Sequence, residues 1–135
     1  MSQEKLEIAA RFYKWAASKA ELLAEMDSTV SVCHPEVEWT VPEDGTTYLG
    51  HEGVRQRLEE WLESFDEYKF EVQRIVDCGG DDVLVEGLEV GIGAVSGATV
   101  RSTLFELLTI RNGMIVSVRE YYDESDAFEA AGLSE

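Results

Sequence analysis

The sequence predicts one α+β domain, residues 1–135, in which a curved antiparallel sheet is covered on one face by helices. Three observations predict it. Apolar residues recur at helical spacing near the start of the chain. They alternate with period two through the second half. Glycine-rich turns separate the alternating stretches. A chain of 135 residues holds one self-sufficient core rather than two. A twisted sheet covered by helices on one side tends to enclose a cavity, and such cavities take small molecules.

The elements follow in order. Ser2 to about Ala17 reads as a helix, with Leu6, Ala9, Ala10, Tyr13, Ala16 and Ala17 on one stripe that Ile8, Phe12 and Trp15 widen. Ser18-Lys19-Ala20-Glu21 is a capping box and starts a second helix, with Leu22, Leu23 and Met26 as its buried side. His34-Pro35 stops that helix, because the residue before a proline avoids helical backbone angles. Val37 to Val41 alternates and reads as a strand. Pro42 to Gly45 is a turn, and Thr46 to Leu49 returns as a short strand. Gly50 and Gly53 bracket the start of a helix in which Val54, Leu58, Trp61 and Phe65 share a face. Four strands follow as a meander: Tyr68–Cys78, Val83–Val95, Thr99–Arg111 and Met114–Tyr122. Their separators, Gly79-Gly80-Asp81-Asp82, Ser96-Gly97 and Asn112-Gly113, are hairpin sequences. Asp123 or Ser125 caps a last helix through Ala131, closed by Gly132.

Charge narrows the function. Eleven basic and 28 acidic residues give a net charge of −17. A nucleic-acid partner is excluded on that ground, since phosphates need a basic face, and an anionic membrane surface is disfavoured equally. No apolar run approaches the ~20 residues that span a bilayer. Ser2-Gln3-Glu4-Lys5 leads straight into an amphipathic stretch with no signal pattern, so the cytoplasm is the expected location. Cys33 and Cys78 are too few for a disulfide framework and are expected as buried thiols. Cys33 beside His34 lacks the partner spacing of a metal site, so no metal is expected.

The strands carry lone charges in apolar rows. In the last strand the even positions are Met114, Val116, Val118, Glu120 and Tyr122; in the one before, Val100, Ser102, Leu104, Glu106, Leu108 and Ile110; in the first of the meander, Tyr68, Phe70, Val72, Arg74 and Val76. Alternate side chains share a face. A three-residue loop at Arg111-Asn112-Gly113 pairs Ile110 with Met114 and sets Leu104 opposite Glu120. A two-residue Asn112-Gly113 turn sets Phe105 opposite Glu120 instead. A two-residue Ser96-Gly97 turn sets Gly87 against Glu106 and Glu89 against Leu104. A four-residue Gly79–Asp82 turn sets Arg74 against Gly87. On these registers Arg74, Glu89, Glu106 and Glu120 share one face, with space left by Gly87 and Gly91. Carboxyls on an apolar face are costly unless paired or protonated, and burial raises their pKa toward the range of proton transfer near neutrality. Glu120, Glu106, Glu89 and Arg74 are therefore the candidate acid–base residues. The plainer readings are a cross-strand Arg74–Glu89 ion pair, or an even face turned outward against a second subunit.

Tyr13, Trp39 and Trp61 lie on faces that would cover the sheet, where core and pocket wall are one surface, and with Leu104 they are candidate ligand contacts. Tyr122 shares the Glu120 face and could donate a hydrogen bond to a ligand oxygen. Asp123 reads as a helix cap, and His34 and His51 as capping or surface residues flanking turns.

Four stretches resemble a known family: His34-Pro35-Glu36-Val37-Glu38-Trp39, Tyr48-Leu49-Gly50-His51-Glu52-Gly53-Val54-Arg55, Arg111-Asn112-Gly113-Met114-Ile115-Val116 and Arg119-Glu120-Tyr121-Tyr122-Asp123. Together they resemble the SnoaL-like polyketide cyclase group of the nuclear transport factor 2-like superfamily. The resemblance implies a cystatin-like cone of curved sheet wrapped around three helices, a homodimer formed through the sheet, and a deep, mostly apolar pocket. It implies acid–base chemistry without metal or cofactor on an apolar, oxygenated ligand, as in cyclases, ketosteroid isomerases and epoxide hydrolases. Glu120 falls where the cyclases and epoxide hydrolases carry an acid on the last strand. Glu106 stands where the cyclases have a histidine, and Leu104 where they have a second polar partner. Gly87 and Glu89 stand in place of an arginine–aspartate pair of the epoxide hydrolases. Two classes of function follow: a small acid–base enzyme, or a non-catalytic binder or scaffold.

Overall fold

The computed structural model describes residues 2–13, 18–42 and 44–133. Among the described residues, five helices and six strands follow one another as α1 (Ser2–Tyr13), α2 (Lys19–Ala24), α3 (Met26–Ser31), β1 (Cys33–Thr40), β2 (Thr47–Leu49), α4 (Gly50–Glu63), β3 (Phe65–Asp77), β4 (Asp82–Gly93), β5 (Thr99–Arg111), β6 (Met114–Tyr121) and α5 (Glu124–Ala131). The strands form one curved sheet in the order β2-β1-β6-β5-β4-β3. Every neighbouring pair is antiparallel except β1 and β6, which run parallel.

The first helix buries Ile8, Ala9, Phe12 and Tyr13 against the inner face of the sheet. The residues expected to continue it, Lys14 to Ala17, lie outside those described, so Trp15 and two alanines of the expected stripe go unplaced. Ser18 caps the helix as expected: its hydroxyl accepts from the Glu21 amide, and it donates to the Glu21 carboxylate, which takes the place of the reciprocal backbone bond of a full capping box. The single helix expected after it is two short ones that break at Glu25. Leu22, Met26, Thr29 and Val30 are its buried residues, whereas Leu23 points to solvent. Pro35 lies inside β1 rather than before it. Having no amide hydrogen, it sits where the β1–β6 ladder is interrupted, between Cys33 and Glu38.

Gly50 turns the chain from β2 into α4 with a φ of +72°, in the left-handed region that favours glycine. A Cβ at Gly53 would lie 2.8 Å from the Tyr48 backbone, so helix and strand pack there without a side chain between them. The helix turns Val54, Arg57, Leu58 and Leu62 inward. Phe65 begins β3 instead of ending the helix, because the chain reverses at Ser64. Asp123 caps α5 by accepting from the Asp126 amide, and Gly132 ends it with a φ of +75°.

The sheet has helices on both faces. The inner, concave face carries the main core under α1 to α4. On the outer face α5 covers a second cluster of Leu84, Phe105 and Leu107. The expectation of one covered face is therefore incomplete: the even–odd alternation of β5 sends Leu104, Glu106 and Leu108 to one core and Phe105 and Leu107 to the other. Among the described residues no helix is long and apolar enough to cross a membrane.

Candidate functional site

The site is set by strand register, and the register differs from the expected one at every hairpin. Asn112-Gly113 is a two-residue turn, with φ of 53° and 77°, that pairs Arg111 with Met114. An irregularity between Thr109 and Ile110 then shifts the ladder by one residue. Glu106 consequently faces Glu120 directly, rather than Leu104 or Phe105 doing so. Between β4 and β5 the connection is longer than Ser96-Gly97. It pairs Ile92 with Thr99, so Val85 faces Glu106 and Glu89 faces Ser102. Between β3 and β4 a shift after Val72 reverses the parity of the strand.

That shift removes Arg74 from the site. It lies opposite Glu86, bonds it at 2.8 Å and stacks over Phe128 of α5, on the outer face. The counter-charge inside comes from α4: Arg57 Nη2 donates to Glu120 Oε1 at 2.6 Å, and both side chains are buried. The guanidinium also lies 4.8 Å from the centre of the Trp61 ring. Sequence reasoning passed over Arg57 because the search for lone charges stopped at the strands. The same test on α4 finds it, an arginine on the face of Val54, Leu58 and Trp61.

Three buried carboxyls line the inner face: Glu89, Glu106 and Glu120 are 2%, 4% and 5% exposed. Each has its own donor. Tyr13 on α1 donates to Glu106 Oε1, Arg57 holds Glu120, and Tyr68 donates to Glu89 Oε2 at 2.7 Å. The Tyr122 hydroxyl, at the exposed rim, lies 3.5 Å from the other Glu89 oxygen. Tyr68, like Arg57, was missed by sequence reasoning, since a tyrosine in an apolar row carries no charge to mark it.

Burial pushes the Glu106 carboxyl well above the ordinary range, and its hydrogen bond and repulsion with Glu120 add to that; Tyr13 and Arg57 oppose it. Two carboxylates directly opposite on adjacent strands repel in a dry site, which favours the protonated form of Glu106. Glu89 is raised more mildly by burial, against the hydrogen bond from Tyr68. Tyr13 is raised by burial and by Glu106, which keeps its phenol a donor. For Arg57 burial acts downward, but Glu120 outweighs it and the guanidinium stays charged.

A cavity of about 30 Å³ lies among these groups, room for about two water molecules. Tyr13, Trp39, Trp61 and Leu104, four of the expected ligand contacts, line it; Tyr122 is not among its lining residues but lies beside Glu89, which is. The space expected over Gly87 and Gly91 is filled. The Phe70 ring lies where a Gly87 Cβ would stand, and the Phe65 ring crowds Gly91. Among the described residues no group of three or more His, Cys, Asp or Glu could hold a metal ion. Chemically the cavity offers a carboxyl that burial biases toward its protonated form, facing an ion-paired carboxylate and walled by aromatic rings.

Comparison with known proteins places this geometry. The model of the SnoaL-like domain family matches residues 9–118. A SnoaL-like polyketide cyclase, so classed, from Jannaschia sp. CCS1 superposes with a TM-score of 0.79 at 17% identity, over 99% of this chain and 95% of that one. A protein of ketosteroid isomerase-like fold from Catenulispora acidiphila, solved with trimethylamine, gives 0.72 at 17%, over 95% and 94%. TerC, co-crystallised with polyporic acid, gives 0.73 at 21%, over 96% and 98%. At these identities the likeness shows the shared fold. The curated protein sequences give no match.

Proposed function

The chain belongs to the SnoaL-like domain family of the nuclear transport factor 2-like superfamily, and from that premise we propose that its inner face is a cofactor-independent acid–base site for a small, apolar, oxygenated ligand. The observation that carries the reading is the direct pairing of Glu106 with Glu120 across β5 and β6. Glu120, held by Arg57, takes a proton from the ligand, and the protonated Glu106 supplies one to a ligand oxygen. Tyr13 orients Glu106, and Glu89 sets the local field. A carboxyl biased toward its protonated form beside an ion-paired carboxylate in a dry pocket is the arrangement that general acid–base catalysis needs. The cavity is small, so a ligand larger than a few atoms must displace a ring, and half-buried Trp61 is the most exposed of the aromatic walls.

Deuterium exchange at the carbon acidic positions of small ketones in D₂O tests this. The wild type accelerates exchange, and Glu120→Gln loses about 10²-fold or more of that acceleration. Equal exchange by both proteins overturns the proposal. A second reading, a non-catalytic binder, draws on the small cavity and on the carboxyls each having a protein donor. It predicts ligand affinity without exchange.

The same reading keeps the protein in the cytoplasm, where unpaired Cys33 and Cys78 stay reduced. It also carries a homodimer formed through the outer face, where Leu88, Val90 and Ile92 of β4 are half-exposed. A monomer by light scattering at micromolar concentration overturns the dimer.

A further inference from the structure

Trp39 presents a second kind of signal in the same cavity. Its side chain lies on the inner face of β1, opposite Val118 of β6 and two residues along from the level of Glu120. It is 2% exposed, packs 5.9 Å from the Phe12 ring and lines the cavity. Its indole Nε1 is buried and has no hydrogen-bond partner among the described residues. A buried donor left unpaired is costly, and such groups in folded proteins are few. The three carboxyls of the cavity accept from other donors, Glu106 from Tyr13, Glu120 from Arg57 and Glu89 from Tyr68, and none of them accepts from the indole. An indole N–H can only donate, so the atom it awaits is an acceptor.

We infer that Trp39 is the anchoring donor of the pocket, binding the oxygen of a neutral carbonyl ligand through Nε1–H. The inference rests on the reading of the inner face as a ligand pocket and names the ligand's functional group. It also separates two ligand classes. A cationic ligand would leave the indole unpaired, because an ammonium group has no acceptor to offer. A carbonyl pairs it, and places the atoms next to the carbonyl in the cavity shared by Glu106 and Glu120. Trp39 is on this view a binding residue that fixes ligand orientation, while the carboxyls move protons.

The test compares cyclohexanone with methylenecyclohexane, which has nearly the same shape but no acceptor. The readout is the indole ¹⁵N–¹H spectrum of the protein, whose three tryptophans give at most three signals. Cyclohexanone is expected to move the Trp39 indole proton downfield and to bind about tenfold more tightly than the hydrocarbon. Trp39→Phe is expected to shrink that difference severalfold. The wild-type comparison stands alone if the variant does not fold. Entry of the ketone, seen in the Leu58, Leu62 and Leu104 methyl signals, with an unmoved Trp39 indole overturns this inference but not the pocket. Entry of neither probe overturns both.

Discussion

Two arginine–glutamate pairs sit on opposite faces of the same sheet. Arg57–Glu120 closes at 2.6 Å on the inner face and Arg74–Glu86 at 2.8 Å on the outer one. By contact distance they are alike. By environment they are not: the inner side chains are 10% and 3% exposed, the outer ones 50% and 27%. The outer pair trades one set of hydrated charges for another. The inner pair has left water, so each charge depends on the other for nearly all its stabilisation. The contrast teaches that the site is marked by desolvation rather than by ion pairing.

The largest effect should come from breaking the inner pair. Arg57→Met leaves Glu120 buried beside Glu106 with no cation, and should lower stability by about 3–5 kcal/mol at neutral pH in urea unfolding. A loss under about 1 kcal/mol would mean that the inner pair is hydrated after all, and would erase the distinction between the faces.

Next comes the proton on Glu106. Its pKa is raised in the folded protein, so between the unfolded value of ~4.3 and the higher folded one the native state binds the extra proton. Stability contributed by that proton is full below ~4.3 and is lost as pH rises through the folded pKa. Glu106→Gln should flatten this slope in a series of Tm against pH, and at pH 8 should be at least as stable as the wild type. An unchanged slope would place the titration elsewhere. Tyr13→Phe is smaller: it removes the donor to Glu106, should cost about 1–3 kcal/mol, and should move the Glu106 carboxyl-carbon titration further upward. A downward shift would show that the phenol does not stabilise the ionised form.

What the sequence disclosed follows from these same forces. Glu106 and Glu120 stood out because a carboxyl in an apolar row is unusual wherever the row ends up, and both rows did face inward; Glu89 was reached through an assumed register that the sheet does not adopt, yet it lies on the same face. Asn112-Gly113, the Ser18 capping box and Asp123 were legible because each depends on a few adjacent residues. Registers were not, because an irregularity inside a strand leaves no mark comparable to a turn. The shift at Thr109/Ile110 brought Glu106 opposite Glu120, and the one after Val72 carried Arg74 away. Period-two reasoning holds only between such points. Arg57 was hidden differently. Its helix spacing was plain, but an arginine in a helix is ordinary until the strand opposite is known to carry a buried acid.

The smallest effect is expected at Arg74, the residue that sequence reasoning had placed in the site. Arg74→Met should cost about 1 kcal/mol or less, since an exposed pair returns most of its Coulomb energy to water. Part of any cost would come from the Phe128 ring, 5.7 Å from the guanidinium, and a methionine chain can cover the same ring. The ion-pair share should fade between low salt and 1 M salt, where screening acts within about 3 Å. Arg57→Met should keep nearly all of its penalty over the same range, because ions do not enter a buried site. Measuring both variants at both salt concentrations thus separates burial from contact distance. An Arg74→Met penalty that is large and insensitive to salt would show that α5 shields the outer face as thoroughly as α4 shields the inner one. The contrast between the two faces would then be lost.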